Sequence, residues 1–463
     1  MPEGSSVSTV AHHSGEQAGV VRRSRRHPVR CRWIGGACGR ATGDVSGHLR
    51  RRPSMGLRAS CRVSGGPMLE PYGVVYFGND WYAENRTSSH HVAARLASVL
   101  PVLYVDSPGM RAPQASGRDF RRALRKLREA LRAPLRIDAN LWHCTVPQLP
   151  FPRVPGVRAF NLAFGRWAVR RAMRVLGTAR HLSWFVTPHP GFLAGRLGEA
   201  FCVYYCIDDY AAHPGVDASA IAERDLDLTR RADLVFVAPP ALLAAKQAVN
   251  PNTRFSPHGV DAALFGRAME PATEIPLAAR ELPHPVIGYF GLIHEWIDVE
   301  LIEWLARQRP AWSFLLVGHA AIKVPGLRSL PNVVLAGPQP YASLPGWAKA
   351  FDVAIIPYRH NRQTEHGNPL KLREYLATGK PVVTVGNAEI AKFSRWVTIA
   401  EGREAFLAGI EAALRDDTAE AAAARVAAVA DQTWDRRVSD VLQEVASSLA
   451  AVDMEHIARQ AQE

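Results

Sequence analysis

The chain has 463 residues, 47% of them hydrophobic, which is enough for two domains with cores of their own. Its formal net charge of +13 is concentrated at one end: residues 1–67 hold twelve arginines, no lysine and three acids, so the rest is only mildly basic and does not read as a nucleic-acid binder. None of the six cysteines forms a CxxC pair, which argues against a cysteine zinc site, and no apolar run approaches the ~18 residues of a membrane-spanning helix.

In chain order, residues 1–67 lack any apolar period and read as a disordered leader. An arginine-rich, acid-poor segment fits a basic tail, a transit peptide, or an extension upstream of a true start at Met68. From Met68 onward short apolar runs alternate with helical periods. Strands are expected at 72–77, 102–105, 184–186, 202–207 and 234–238, and helices at 88–99, 159–176 and 219–231. The runs are continuously apolar rather than alternating, as parallel strands covered on both faces require. Cys202 and Cys206 fall in one of them and read as reduced core residues, which points to a reducing compartment and a cytoplasmic location.

Between these elements, residues 118–136 place Phe120, Leu124, Leu127, Leu131 and Leu135 on one stripe flanked by six basic residues. That pattern predicts a basic amphipathic helix, suited either to an anionic membrane surface or to packing on the first domain with solvated arginines. The helix at 158–176 adds five more arginines. A proline-rich stretch, 271–285, reads as a linker between a first domain at 68–270 and a second at 286–432, where the β/α alternation restarts. A last helix, within 433–463, carries Val438, Val441, Leu442 and Val445 at helical spacing, so it is expected to return to the first domain. The fold class that follows is α/β: two doubly wound parallel sheets facing each other across a cleft.

The segment HGNPLKLREYLATGKPVVTV, 366–385, carries the most chemistry. Asn368 reads as a helix N-cap with Pro369 at the first helical position, and Gly379 as the C-terminal stop. A helix N-terminus opening at the sheet crevice favours an anion such as a diphosphate. Lys371 in the first turn opposes the helix dipole, so it is either a phosphate partner or a solvated lysine. Glu374, three residues on, would accept from two vicinal hydroxyls or simply pair with Lys371.

This segment resembles the nucleotide-sugar motif of glycosyltransferase family four, the glycosyl transferases group 1, in which Glu-x7-Glu precedes an Ala-x-Gly-x-Pro-Val-Val tail. Glu374 matches the second Glu, and Ala377, Gly379, Pro381, Val382 and Val383 match the tail. The first Glu falls on His366, next to Glu365, which is a departure. The resemblance implies the two-domain GT-B fold and a donor site formed by Glu365, His366, Gly367, Asn368, Pro369, Leu370, Lys371 and Glu374. In it Glu374 would hold the donor ribose. Similar stretches add Gly288 and Gly291 in the turn at 287–296, and His258 in the His-Gly-Val-Asp turn at 258–261. The family's usual Arg and Lys after that glycine turn are replaced by Leu292, His294, Glu295 and Trp296. On the first domain, His189 between two prolines would contact the donor sugar, and Asp208 or Asp209 would orient an acceptor hydroxyl or serve as base. His90 and His91, opening the first helix, are candidates for the acceptor side.

The expected activity is thus a metal-independent, retaining transferase. It would move a sugar from a nucleotide-diphosphate sugar, a substrate rather than a cofactor, to a glycan or lipid-linked acceptor in cell-surface polysaccharide synthesis, with peripheral membrane contact through 118–136. No cofactor is expected, and no Asp-x-Asp stands near a strand end; Asp225 and Asp227 have that spacing inside a helical stretch. The alternatives are a sugar-nucleotide epimerase of the same fold and a non-catalytic sugar-nucleotide or glycan-binding protein.

Overall fold

The computed structural model describes residues 69, 71–83, 85–106, 132–149, 154–213 and 215–460. The leader and most of the basic segment at 118–136 lie outside the described residues.

Eight strands form the first sheet: β1 (Tyr72–Gly78), β2 (Val102–Asp106), β3 (Leu135–Asp138), β4 (Leu141–Thr145), β5 (Arg180–Phe185), β6 (Phe201–Cys206), β7 (Leu234–Val237) and β8 (Thr253–Phe255). Their spatial order is β3-β4-β2-β1-β5-β6-β7-β8, all parallel except the β3–β4 hairpin. The continuous apolar runs are explained by two cores, one on each face. Val74 and Tyr76 of β1 enter one core, and Val75 and Phe77 enter the other.

Residues 135–136 depart from the helical expectation. Leu135 starts an edge strand and is 58% exposed, rather than closing a helical stripe. The cause is local: Pro134 offers no amide hydrogen and forces its predecessor out of the helical region. Strands β3, β4 and β8 were not among the expected ones, because each is short and carries little of the apolar run that marks the others.

The second sheet has β9 (Val286–Phe290), β10 (Ser313–Val317), β11 (Val333–Gly337), β12 (Val353–Ile356), β13 (Val382–Thr384) and β14 (Thr398–Ile399). Its order is β11-β10-β9-β12-β13-β14, wholly parallel. The strand order reverses direction at β9, and a crevice opens at the carboxyl ends of strands at such a switch point. The final helix, Trp434–Gln460, leaves the second lobe and places Val438, Val441, Leu442, Val445 and Leu449 in a core of the first sheet. Each such burial stabilises by roughly 1.5–3 kcal/mol, which makes the helix a strap between the lobes. Among the described residues no helix is long and apolar enough to cross a membrane.

Candidate functional site

The helix Leu370–Ala377 lies beside the carboxyl end of β9. It ends at Thr378, and Gly379 takes the left-handed conformation at φ +73° that a C′ glycine serves. The turn after β9 explains where Lys371 goes. Gly291 has φ +133°, and a Cβ built on it would stand 2.1 Å from Lys371 Cε. Gly318, after β10, has φ +146°, and a Cβ there would stand 2.0 Å from the Gly291 carbonyl oxygen. Two glycines in tight succession thus clear a channel in which the lysine side chain lies across the strand end. The ammonium sits 5.6 Å from the Tyr289 ring centroid and, among the described residues, makes no hydrogen bond or ion pair. Burial holds its pKa below the ordinary lysine value, with Glu374 acting in the opposite sense.

Glu374 is half-buried one turn further on. Tyr341 Oη donates to its Oε1 at 3.3 Å. Burial pushes the carboxyl up to about 7, against the lowering effects of Lys371 and the Tyr341 bond. A cation and a carboxylate on one helix face therefore hold most of their hydrogen-bonding capacity in reserve at the mouth of the crevice. That set suits an anion beside a polyhydroxyl group.

The loop before this helix is built by its own side chains. Asn361 and Thr364 cap the short helix Arg362–Glu365 reciprocally. Asn387 Nδ2 donates to the carbonyls of Thr364 at 2.8 Å and Gly367 at 3.0 Å. Asn368 is not the N-cap; Pro369 holds that position without a side-chain bond. The reason is a stronger demand on the amide elsewhere. Asn368 Oδ1 accepts from Arg373 Nη1 at 2.8 Å, while its Nδ2 reaches the first lobe and donates to the Ala238 carbonyl at 3.1 Å. Arg373, only 2% exposed, also pairs with the equally buried Glu389, which takes Lys392 as a second partner. No periodicity marks this network, because Glu389 stands 16 positions from Arg373. Glu365 is exposed, and Leu370 packs against a core of the first lobe.

Several other candidate residues are packed into the lobes. Gly288 lies inside β9, where a Cβ would meet the Phe351 ring at 2.1 Å, so it serves packing rather than approach of a ligand. His258 is 4% exposed and held neutral with its pKa pushed down to about 3 by burial; its ring lies 5.9 Å from that of Trp434, and its buried Nδ1 has no hydrogen-bond partner among the described residues. His90 is buried with both ring nitrogens used: Nδ1 accepts from the Thr87 amide at 3.1 Å and Nε2 donates to the Asp80 carbonyl at 3.0 Å. His91 is stacked on Trp434 at 5.1 Å and 2°, and its Nδ1 accepts from Arg95 at 3.3 Å. His90 is thus held within its own lobe against Trp81 and Tyr104, whereas Trp434 of the final helix covers a ring face of His91.

His189 is half-buried, and its Nδ1 accepts from Arg224 Nη1 at 3.0 Å. Arginine can only donate, so the ring proton stands on Nε2. Burial and Arg224 push the imidazole down to about 4, which leaves it a neutral donor. Asp208 accepts from His213 Nε2 at 2.7 Å. Asp209, 6% exposed, reaches the second lobe, where its Oδ2 accepts from Arg362 Nε and from His366 Nδ1, each at 3.0 Å. His366, standing where the resemblance places a Glu, thus joins the two lobes. Asp225 and Asp227 lie in the helix Ala218–Arg231, paired with Lys246 and Arg231 respectively. Among the described residues no cluster of three His, Cys, Asp or Glu side chains is placed to hold a metal ion.

Residues 284–431 match the family described as Glycosyl transferases group 1. In fold the chain is similar to sucrose-phosphate synthase from Thermosynechococcus elongatus, with a TM-score of 0.55 and 16% identity over 84% of this chain and 99% of that one. It is equally similar to the Anabaena protein HepE, solved in complex with UDP and glucose, with a TM-score of 0.56 and 16% identity over 81% and 100% of the two chains. The chain therefore has a GT-B fold, and its second lobe is similar to the glycosyl transferases group 1 family. In sequence, a Bacillus subtilis (strain 168) protein named as a putative teichuronic acid biosynthesis glycosyltransferase is 28% identical over 228 residues. The match covers 46% of this chain and 57% of that protein, so it spans little more than half of the relative's length. The matched residues include Gly291, Lys371 and Glu374, whereas His189, Asp208 and Asp209 belong to the lobe outside the family match.

Proposed function

We propose that this chain is a glycosyltransferase that moves a sugar, with retention, from a nucleotide-diphosphate sugar to a glycan or lipid-linked acceptor in cell-surface polysaccharide assembly. The observation that carries this reading is the Gly291–Lys371–Glu374 arrangement: an ammonium threaded over a glycine turn, one helical turn from a half-buried carboxylate that, among the described residues, accepts one side-chain hydrogen bond. Lys371 would pair with the diphosphate and Glu374 would accept from the ribose hydroxyls. His189 would offer its Nε2–H to the sugar, and an acceptor would enter beside Asp208. The family match at 284–431 and the name of the Bacillus relative support transferase chemistry of this class. Charge on the leaving diphosphate would be met by Lys371 and backbone amides without a metal, each preorganised donor contributing about 2.7–4 kcal/mol in a dry site. The work would be done on the cytoplasmic side of a membrane.

Calorimetric titration with UDP-, GDP- and ADP-sugars tests the donor, and NMR of the product's anomeric centre tests retention. Failure of every sugar nucleotide to bind, or unaltered affinity in Glu374→Ala, would remove the assignment. An inverted product would remove retention alone.

A further inference from the structure

Asp208 and Asp209 follow β6, and both are already engaged by the protein. Asp208 accepts from the Asp209 amide through Oδ1 at 2.9 Å and from His213 Nε2 through Oδ2 at 2.7 Å. Asp209, whose side chain is 7% exposed, receives Arg362 Nε and His366 Nδ1 on one oxygen, each at 3.0 Å. It is nearly covered by these two donors from the other lobe.

His366 is the group that this pairing leaves facing out, with 31% of its side chain exposed. Its place is fixed by backbone bonds. The His366 amide donates to the Arg362 carbonyl at 3.1 Å, and Asn387 holds the carbonyls of Thr364 and Gly367 on either side of it. A carboxylate oxygen only accepts, so Nδ1 carries a proton. In the neutral ring Nε2 then holds a lone pair, and among the described residues nothing donates to it. His189 is held in the opposite tautomer: Arg224 donates to its Nδ1, so its Nε2 presents an N–H.

Glycosyl transfer needs a lone pair of this kind, because the acceptor hydroxyl must lose its proton as it joins the sugar. An imidazole oriented by a carboxylate is a fitted general base. We propose that His366, held by Asp209 across the lobes, is the base that takes the proton of the acceptor hydroxyl. The acceptor O–H bond breaks and its proton goes to Nε2, while the oxygen bonds to the anomeric carbon. The bond from that carbon to the diphosphate breaks, and its electron pair leaves with the nucleoside diphosphate. Nε2 then returns the proton to solvent. His366 is thereby a catalytic residue, and Asp209 a positioning residue that touches neither sugar. The proposal rests on the transferase reading.

Its test is the release of nucleoside diphosphate from UDP-glucose, GDP-mannose and ADP-glucose by the full chain, with water in the acceptor's place, beside a thermal shift with each compound. His366→Ala should lower kcat at least about 100-fold, with KM for the sugar nucleotide within about twofold of wild type. Added imidazole should raise the rate of that variant at least about tenfold, since it supplies the missing base. His366→Gln keeps an amide donor for Asp209 but no base, so it should be as slow as His366→Ala. Asp209→Asn offers an amide hydrogen to Nδ1 and moves the ring proton to Nε2, so kcat should fall about tenfold or more at unchanged KM.

If His366→Gln keeps the wild-type kcat, or imidazole restores nothing to His366→Ala, the proposal is overturned and the ring is a structural link alone. A KM raised about tenfold in His366→Ala at wild-type kcat would also overturn it, and give the ring to the donor sugar. A thermal shift without cleavage in wild type would do the same, because a base waiting in the empty acceptor site should activate water. Should none of the three compounds shift or be cleaved, the transferase reading fails and this base falls with it. Cleavage indifferent to His366 would sink the base and leave that reading standing.

Discussion

The two lobes share one architecture but use their polar groups at the cleft in opposite ways. In the second lobe, the side chains of Lys371 and Glu374 stand at a strand end and, among the described residues, share a single hydrogen bond, from Tyr341 to Glu374. In the first lobe, His90, His91, Asp208 and Asp209 each have partners within the protein. The difference separates groups spent on holding the fold from groups held back for a ligand. A buried polar atom left without a partner costs about 1–3 kcal/mol, and a site keeps that cost only where something else will satisfy it.

The comparison can be broken most sharply at Arg373. Its helix neighbour Glu374 is assigned to ligand, but Arg373 is assigned to structure. Arg373→Met should leave the buried Glu389 carboxylate with Lys392 as its one charged partner and cost about 3 kcal/mol in urea denaturation. If it lowers donor affinity while stability holds, the division is wrong.

Next in size, Lys371→Ala should weaken nucleotide-sugar binding by roughly 1.5–3 kcal/mol, about ten- to 150-fold by calorimetry, with little change in stability. Gly291→Ala should mimic it, since the new methyl group occupies the lysine's path and φ is unfavourable. The double variant should then be no weaker than the worse single one, because both act through the same side chain. Additive losses would show that the glycine serves something other than Lys371.

Glu374→Ala should cost the donor about 1–3 kcal/mol, and Glu374→Gln should alter pH behaviour as well. A carboxyl raised to about 7 favours its protonated form in the empty site. The empty protein should therefore lose stability as pH climbs from the ordinary carboxylate range through about 7. Ribose hydroxyls donate to the ionised form, so donor affinity should rise with pH through the same window, and binding should release a proton. Calorimetry in two buffers of different ionisation enthalpy measures that proton, and Glu374→Gln should abolish it.

Smallest of all, Asp209→Asn should shift stability by no more than ~1 kcal/mol, because its Arg362 partner is 66% exposed at the side chain. Donor affinity should stay within about twofold. A large affinity loss would mean that the first lobe's aspartate is not merely structural.

Much of the fold was legible because its signals are local. A run such as YGVVYFG, buried on both faces, announces a parallel strand, and Val438, Val441, Leu442 and Val445 announce a helix with one face to bury. The hairpin β3–β4 was hidden because its strands are short and half-exposed. The glycine pair shows both sides of site reading. Gly291 was placed by its turn, but Gly288, three residues earlier in the same strand-and-turn segment, is occupied by Phe351. No feature of the segment 287–291 distinguishes the two.

What the chain determined on its own was therefore whatever depends on neighbours within a turn or two: two βα arrays, a helix opening next to Lys371, a glycine stop at Gly379 and a carboxylate one turn inside. What only the tertiary structure decided was which distant groups meet. Asp209 finds His366 across 157 positions, Asn368 finds Ala238 across 130, and His91 stacks on Trp434. These pairings follow from how the final helix straps the lobes together and leave no periodic trace in sequence, so histidines that read as a binding edge proved to be its interior support.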